Sequence, residues 1–221
     1  SAAEALSLAR AAFAAGRYAA ARTALRGLRS SFPADALVAD SFALDTAVAL
    51  AERDPLRARA FIALLAARFP GSRPAFSAAL AVADWYHELP DRAASLEYYL
   101  AAIDAHGGVT DRDGLDRALL RAAATESWLG VDERSAREHF RAVRPAALEG
   151  PDRELYRSLR VRLAWERLDA DRLGLADANI SALAVDGDDL WVGTWNGGAA
   201  RWSLSAEVST LFPNPAYPRA F

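Results

Sequence analysis

The chain contains no cysteine, methionine, lysine or glutamine, and all 26 of its basic residues are arginine. Each absence removes chemistry. Without cysteine there is no thiolate nucleophile, disulfide or sulfur-ligated metal site. Without lysine there is no Schiff-base residue and no phosphate-loop lysine. The missing methionine makes Ser1 an expected processing junction, with any signal sequence already removed. The net charge is only −3, so no basic face for nucleic acid is implied. No apolar run is long enough to cross a bilayer. Cysteine-free composition fits either side of a membrane.

Catalytic and metal-binding motifs are also missing. The three histidines, His87, His106 and His139, have no partners at zinc-ligand spacing, and His87-Glu88 lacks the second histidine of a zincin. Asp111, Asp113 and Asp116 resemble the start of a calcium loop, but no glutamate closes it; helix capping by Thr110, Asp111 or Asp113 is the plainer reading. Asp186, Asp188 and Asp189 read as turn formers. There is no phosphate loop, nucleophile elbow or Ser-x-x-Lys motif. No catalytic residue, cofactor or metal is expected.

What is present is a repeat. Ala21 has counterparts at Ala58, Ala94 and Ala136, spaced 37, 36 and 42 residues apart. Four residues after each stands a large apolar side chain: Leu25, Ile62, Tyr98 and Phe140. Seven after come Leu28, Leu65, Ala101 and Val143; twelve before come Ala9, Thr46, Val82 and Ala124. Small side chains at the crossing let two antiparallel helices approach, and the large ones fill the groove between pairs. Proline stops the first two pairs, at Phe32-Pro33 and Phe69-Pro70. Four helix pairs are expected, at 2–31, 35–69, 74–105 and 112–144. A ninth helix is expected at about 152–168, as a cap on the stack.

The Gly16-Arg17-Tyr18 turn with Ala21, and the close Arg68-Phe69-Pro70-Gly71-Ser72, resemble tetratricopeptide (TPR) repeats over residues 2–144. They are most similar to the periplasmic, lipoprotein-borne subclass, such as the accessory lipoproteins of outer-membrane β-barrel assembly. That resemblance implies a mainly α protein, an α-solenoid with a concave groove for a protein or peptide partner. The matching groove positions are Arg10, Phe13, Asp40, Leu50, Tyr86, His87, Arg121, Thr125 and Trp128. Subclasses that grip a C-terminal carboxylate with Lys and Asn do not fit, because lysine is absent and all three asparagines follow residue 178.

After Leu175 the periodicity becomes strand-like. Strands are expected at 180–185, 190–195, 199–204 and 208–212, the first of them buried on both faces. Asn196-Gly197 is expected to be a two-residue hairpin turn. The order Asp186-Gly187-Asp188-Asp189-Leu190-Trp191-Val192-Gly193-Thr194-Trp195-Asn196-Gly197-Gly198 resembles one blade of two-component-regulator-type β-propellers. The resemblance assigns blade packing to Asp186, Gly187, Trp191, Gly193, Thr194, Gly197 and Gly198. It also implies a propeller that continues beyond this chain, since one blade does not close. The expected domains are therefore a helical-repeat domain with capping helix over 1–170 and a truncated first blade over 174–221. The expected function is a non-catalytic, extracytoplasmic interaction scaffold; the alternative is a sensor ectodomain whose complete propeller binds a small molecule or glycan. Self-association through the exposed blade is a further expectation.

Overall fold

The computed structural model describes residues 1–89, 91–107, 109–165, 180–203 and 208–213. It is mainly helical and divides into two compact units, Ser1–Leu148 and Glu149–Phe221.

The first unit is four consecutive helix pairs: α1 (Ala2–Ala14) with α2 (Tyr18–Ser31), α3 (Leu37–Ala51) with α4 (Pro55–Arg68), α5 (Arg73–Glu88) with α6 (Arg92–Ala105), and α7 (Arg112–Leu129) with α8 (Glu133–Ala142). A 3₁₀ turn, Pro145–Ala147, follows. Helix starts are encoded locally. The side chains of Asp54, Asp91 and Asp132 each accept the backbone N–H three residues on, opening α4, α6 and α8. Ser1, Ser72 and Asp111 do the same for α1, α5 and α7.

The turns inside the pairs share one geometry. A backbone N–H reaches back five residues to a carbonyl at Arg17→Ala12, Asp54→Ala49, Asp91→Tyr86 and Val131→Glu126. This is the bond that closes a helix at its C-terminus in a Schellman motif. The motif calls for a left-handed residue, and Gly16 (φ 69°) and Gly130 (φ 64°) supply it in the first and last pairs. In the second pair Arg53 takes the same conformation, at φ 58°. It stands 37 residues after Gly16, the repeat spacing itself.

The core follows the expected register. Ala21, Ala58 and Ala136 are fully buried, as are Ala9, Thr46, Val82 and Ala124 on the facing helices. Leu25, Leu28 and Leu65 fill the space beside them. Ala94 departs from its counterparts and is half-buried. Each pair also meets the next, with α1 against α3 and α3 against α5. Burying a leucine-sized side chain contributes about 2 kcal/mol, so each of these aligned leucines is a substantial apolar contribution.

The second unit holds α9 (Gly150–Trp165) and a four-stranded antiparallel sheet in the order β1 (Ile180–Asp186), β2 (Asp189–Thr194), β3 (Ala199–Ser203), β4 (Val208–Phe212). Pro151 and Asp152 stand in the first turn of α9, where a missing N–H and a negative charge are both favourable. The expected boundary at 170–174 lies outside the described residues. Arg160 on α9 donates to the Gly187 carbonyl at 3.1 Å and pairs with Asp188, tying the helix to the β1–β2 turn.

Two strand expectations need correction. All seven residues of β1 are exposed, with Leu183 and Val185 each at 52%. β1 is an edge strand with one hydrogen-bonded neighbour, and an apolar sequence does not by itself bury a strand. Burial falls instead on the inner strands, at Leu190, Val192 and Ala200. Nor is Asn196-Gly197 a two-residue turn. Gly193 pairs with Ala199, and the positive φ belongs to Gly198 (90°). Thr194 sets this wider loop: its hydroxyl accepts from the Gly197 N–H at 2.9 Å and donates to the Gly198 carbonyl at 3.1 Å.

Candidate functional site

The nine expected groove residues fall into two kinds. Arg10 and Asp40 face each other from α1 and α3 at 3.5 Å, both substantially exposed. Phe13 is half-buried, its ring 5.9 Å from that of Tyr18. Tyr86 stacks in parallel on Tyr98 at 5.7 Å, and His87 meets Tyr99 edge-on at 6.4 Å. Trp128 is 38% exposed, and the Arg92 guanidinium lies 4.3 Å from its ring centroid. These aromatic and charged side chains offer contact surface of the kind that anchors interfaces. Leu50 and Thr125 do not. Leu50 belongs to the core, and Thr125 is 1% exposed, its hydroxyl donating to the Arg121 carbonyl one turn back.

The structure joins Arg121 to two residues that the sequence pattern does not single out. Asp84 on α5 accepts from the Tyr99 hydroxyl and from the Arg121 guanidinium, each at 2.8 Å, with Arg117 at 3.5 Å. Three helices meet at this one carboxylate. Tyr99 is fully buried, and burial pushes its hydroxyl well above the usual tyrosine range. It is therefore a neutral donor throughout physiological pH. The knot positions Arg121.

Similar arginine–carboxylate clips recur along the unit. Arg29 donates to Asp45 at 2.7 Å while its guanidinium lies 4.6 Å from the Phe42 ring centroid. Glu52 takes both Arg22 and Arg57. The wholly buried Asp116 accepts from the backbone N–H and the Nε of Arg144, at 3.1 and 2.8 Å. Planar guanidinium is suited to such sites, since it can hydrogen-bond and stack at once. These four arginines thus join neighbouring helices and helix ends. Asp111 caps α7, as the capping reading expects. Among the described residues no group of three or more His, Asp or Glu side chains is placed to hold a metal ion, and no helix is long and apolar enough to cross a membrane.

In the sheet, the residues assigned to blade packing divide by position. Asp186 and Gly187 make the β1–β2 turn, with Gly187 at φ 56°. Trp191 stacks on Phe212 at 5.4 Å and carries the Arg201 guanidinium 5.9 Å from its ring centroid. A Cβ at Gly193 would meet Ala182 and Ser181 only at ordinary contact distance, 3.5 Å or more. Thr194, Gly197 and Gly198 form the loop that carries Trp195, which is 74% exposed. Several apolar side chains stay open to solvent on the two edge strands, including Ile180 and Leu183 on one and Val208 and Phe212 on the other.

Comparison with known proteins finds no matching family model, curated protein or solved structure.

Proposed function

We propose that this chain is a non-catalytic protein-interaction scaffold: an α-solenoid of TPR-like pairs that engages a partner segment along the groove through Arg10, Phe13, Tyr86, His87, Arg121 and Trp128. The observation that supports it is the recurrence of one turn geometry. The same five-residue backbone bond closes the first helix of all four pairs, and α1, α3 and α5 succeed one another as neighbours. A row of first helices such as α1, α3 and α5 offers an extended surface that suits a peptide better than a small substrate. The extracytoplasmic setting is part of the proposal and rests on the sequence resemblance.

The test is selection of peptides from a random displayed library against the full chain, followed by affinity measurement on variants. Trp128→Ala and Tyr86→Ala are expected to weaken selected peptides at least about fivefold, as loss of an anchor worth about 1 kcal/mol would. Peptides that bind equally well to both variants would refute the groove.

A second reading, a sensor ectodomain with a complete propeller, draws on the sheet. Its four-stranded meander leaves apolar side chains open on both edge strands. Exposed apolar edges suit a sheet that stands beside others.

A further inference from the structure

The weakest apolar seam of the helical unit belongs to α8. Ala136 is the single buried residue of its ten, and Phe140 is half-buried. Polar links add to it: the Arg112 guanidinium on α7 donates to the Ala142 carbonyl at the end of α8 at 2.8 Å, and Glu126 holds the middle of the helix. Glu126 on α7 is 3% exposed, and both of its carboxylate oxygens are used from α8. The Ser135 hydroxyl donates to Oε1 at 2.7 Å, and His139 Nδ1 stands 2.9 Å from Oε2. The same Nδ1 is 3.5 Å from the Ser135 hydroxyl. A buried carboxylate with one hydroxyl and one imidazole as partners depends on the imidazole for charge compensation.

We propose that α8 is a pH-responsive latch, held onto α7 by the protonated His139–Glu126 pair and loosened when His139 loses its proton. The groups that act most strongly on His139 are Glu126 from α7, Glu138 and Ser135 from α8 itself, and Asp104 from α6. The hydrogen bond to Glu126 raises the His139 pKa above the ordinary histidine value, with the nearby carboxylates adding to it against the opposing effect of burial. A histidine that binds its proton more tightly when folded stabilises the fold fully below its unfolded pKa. That stability fades as pH rises through the folded value. Loosening therefore begins on the alkaline side of neutral histidine titration. It exposes the α7 face under α8, including Glu126. This latch is independent of what the groove binds.

The experiment is hydrogen–deuterium exchange on the full chain, comparing the α8 segment with α3 across mildly acidic to mildly alkaline pH, after correction for intrinsic exchange. Protection of α8 relative to α3 is expected to fall roughly fivefold, the difference between a charge-assisted and a neutral hydrogen bond. His139→Asn keeps a donor at the Nδ1 position but does not titrate, and it should flatten that pH dependence. Direct NMR titration of the His139 ring in the unmutated chain gives a second reading, which does not require the variant to fold. A midpoint above that of a histidine in an unfolded peptide supports the latch. A midpoint at or below it, or α8 protection that does not change with pH, overturns the proposal.

Discussion

Replacing the crossing alanines by leucine tests the repeat register one pair at a time. Ala21, Ala58 and Ala136 are wholly buried where two helices cross, whereas Ala94 in the third pair is half-buried. Leucine adds three carbons at each site and is nearly as good a helix former as alanine, so the change reads packing and not propensity. Close-packed interiors respond to such insertion with shifted backbones and strained rotamers, at about 1–3 kcal/mol per site. Ala58→Leu is the sharpest case, since Ile62 and Leu65 fill the space along the same helix. It should cost about 2–3 kcal/mol, and Ala94→Leu less than about 1 kcal/mol. Urea denaturation followed by far-UV circular dichroism reports both as shifts in midpoint. If Ala58→Leu is neutral, or if Ala94→Leu costs as much, then the small residues do not set the helix approach and the register argument fails.

Two further predictions concern glycine positions. Arg53 occupies the left-handed conformation that Gly16 takes one repeat earlier, so Arg53→Gly should raise thermal stability by about 1 kcal/mol. Gly16→Ala should lower it by a similar amount, and calorimetry on both variants checks the pairing. Gly114 sits inside α7, where alanine normally stabilises a helix, but a Cβ there would stand 2.8 Å from Asp111 Oδ2 and 3.0 Å from the buried Phe76 ring. Gly114→Ala should therefore destabilise by about 1–3 kcal/mol; a stabilised variant in the same denaturation assay would contradict it.

The sequence by itself determined the local elements. Spacing of small and large residues places all four helix pairs, because the 3.6-residue period and the packing demand of a helix crossing are written in adjacent side chains. Asp54, Asp91 and Asp132 mark helix starts because a capping side chain bonds within its own turn. The β meander is legible for the same reason, from apolar runs between turn residues.

Tertiary structure alone decided the rest. Asp84, Tyr99 and Arg121 lie on three different helices, and no short-range pattern reveals that one carboxylate gathers them. Leu50 and Thr125 occupy groove positions in the repeat pattern, yet the fold buries them. β1 reads as a doubly buried strand, yet it lies at a sheet edge. Burial is a property of what packs against a segment, and the pairing of His139 with Glu126 is a property of two helices meeting. Local periodicity fixes which face of an element is apolar; only the assembled chain fixes what that face meets.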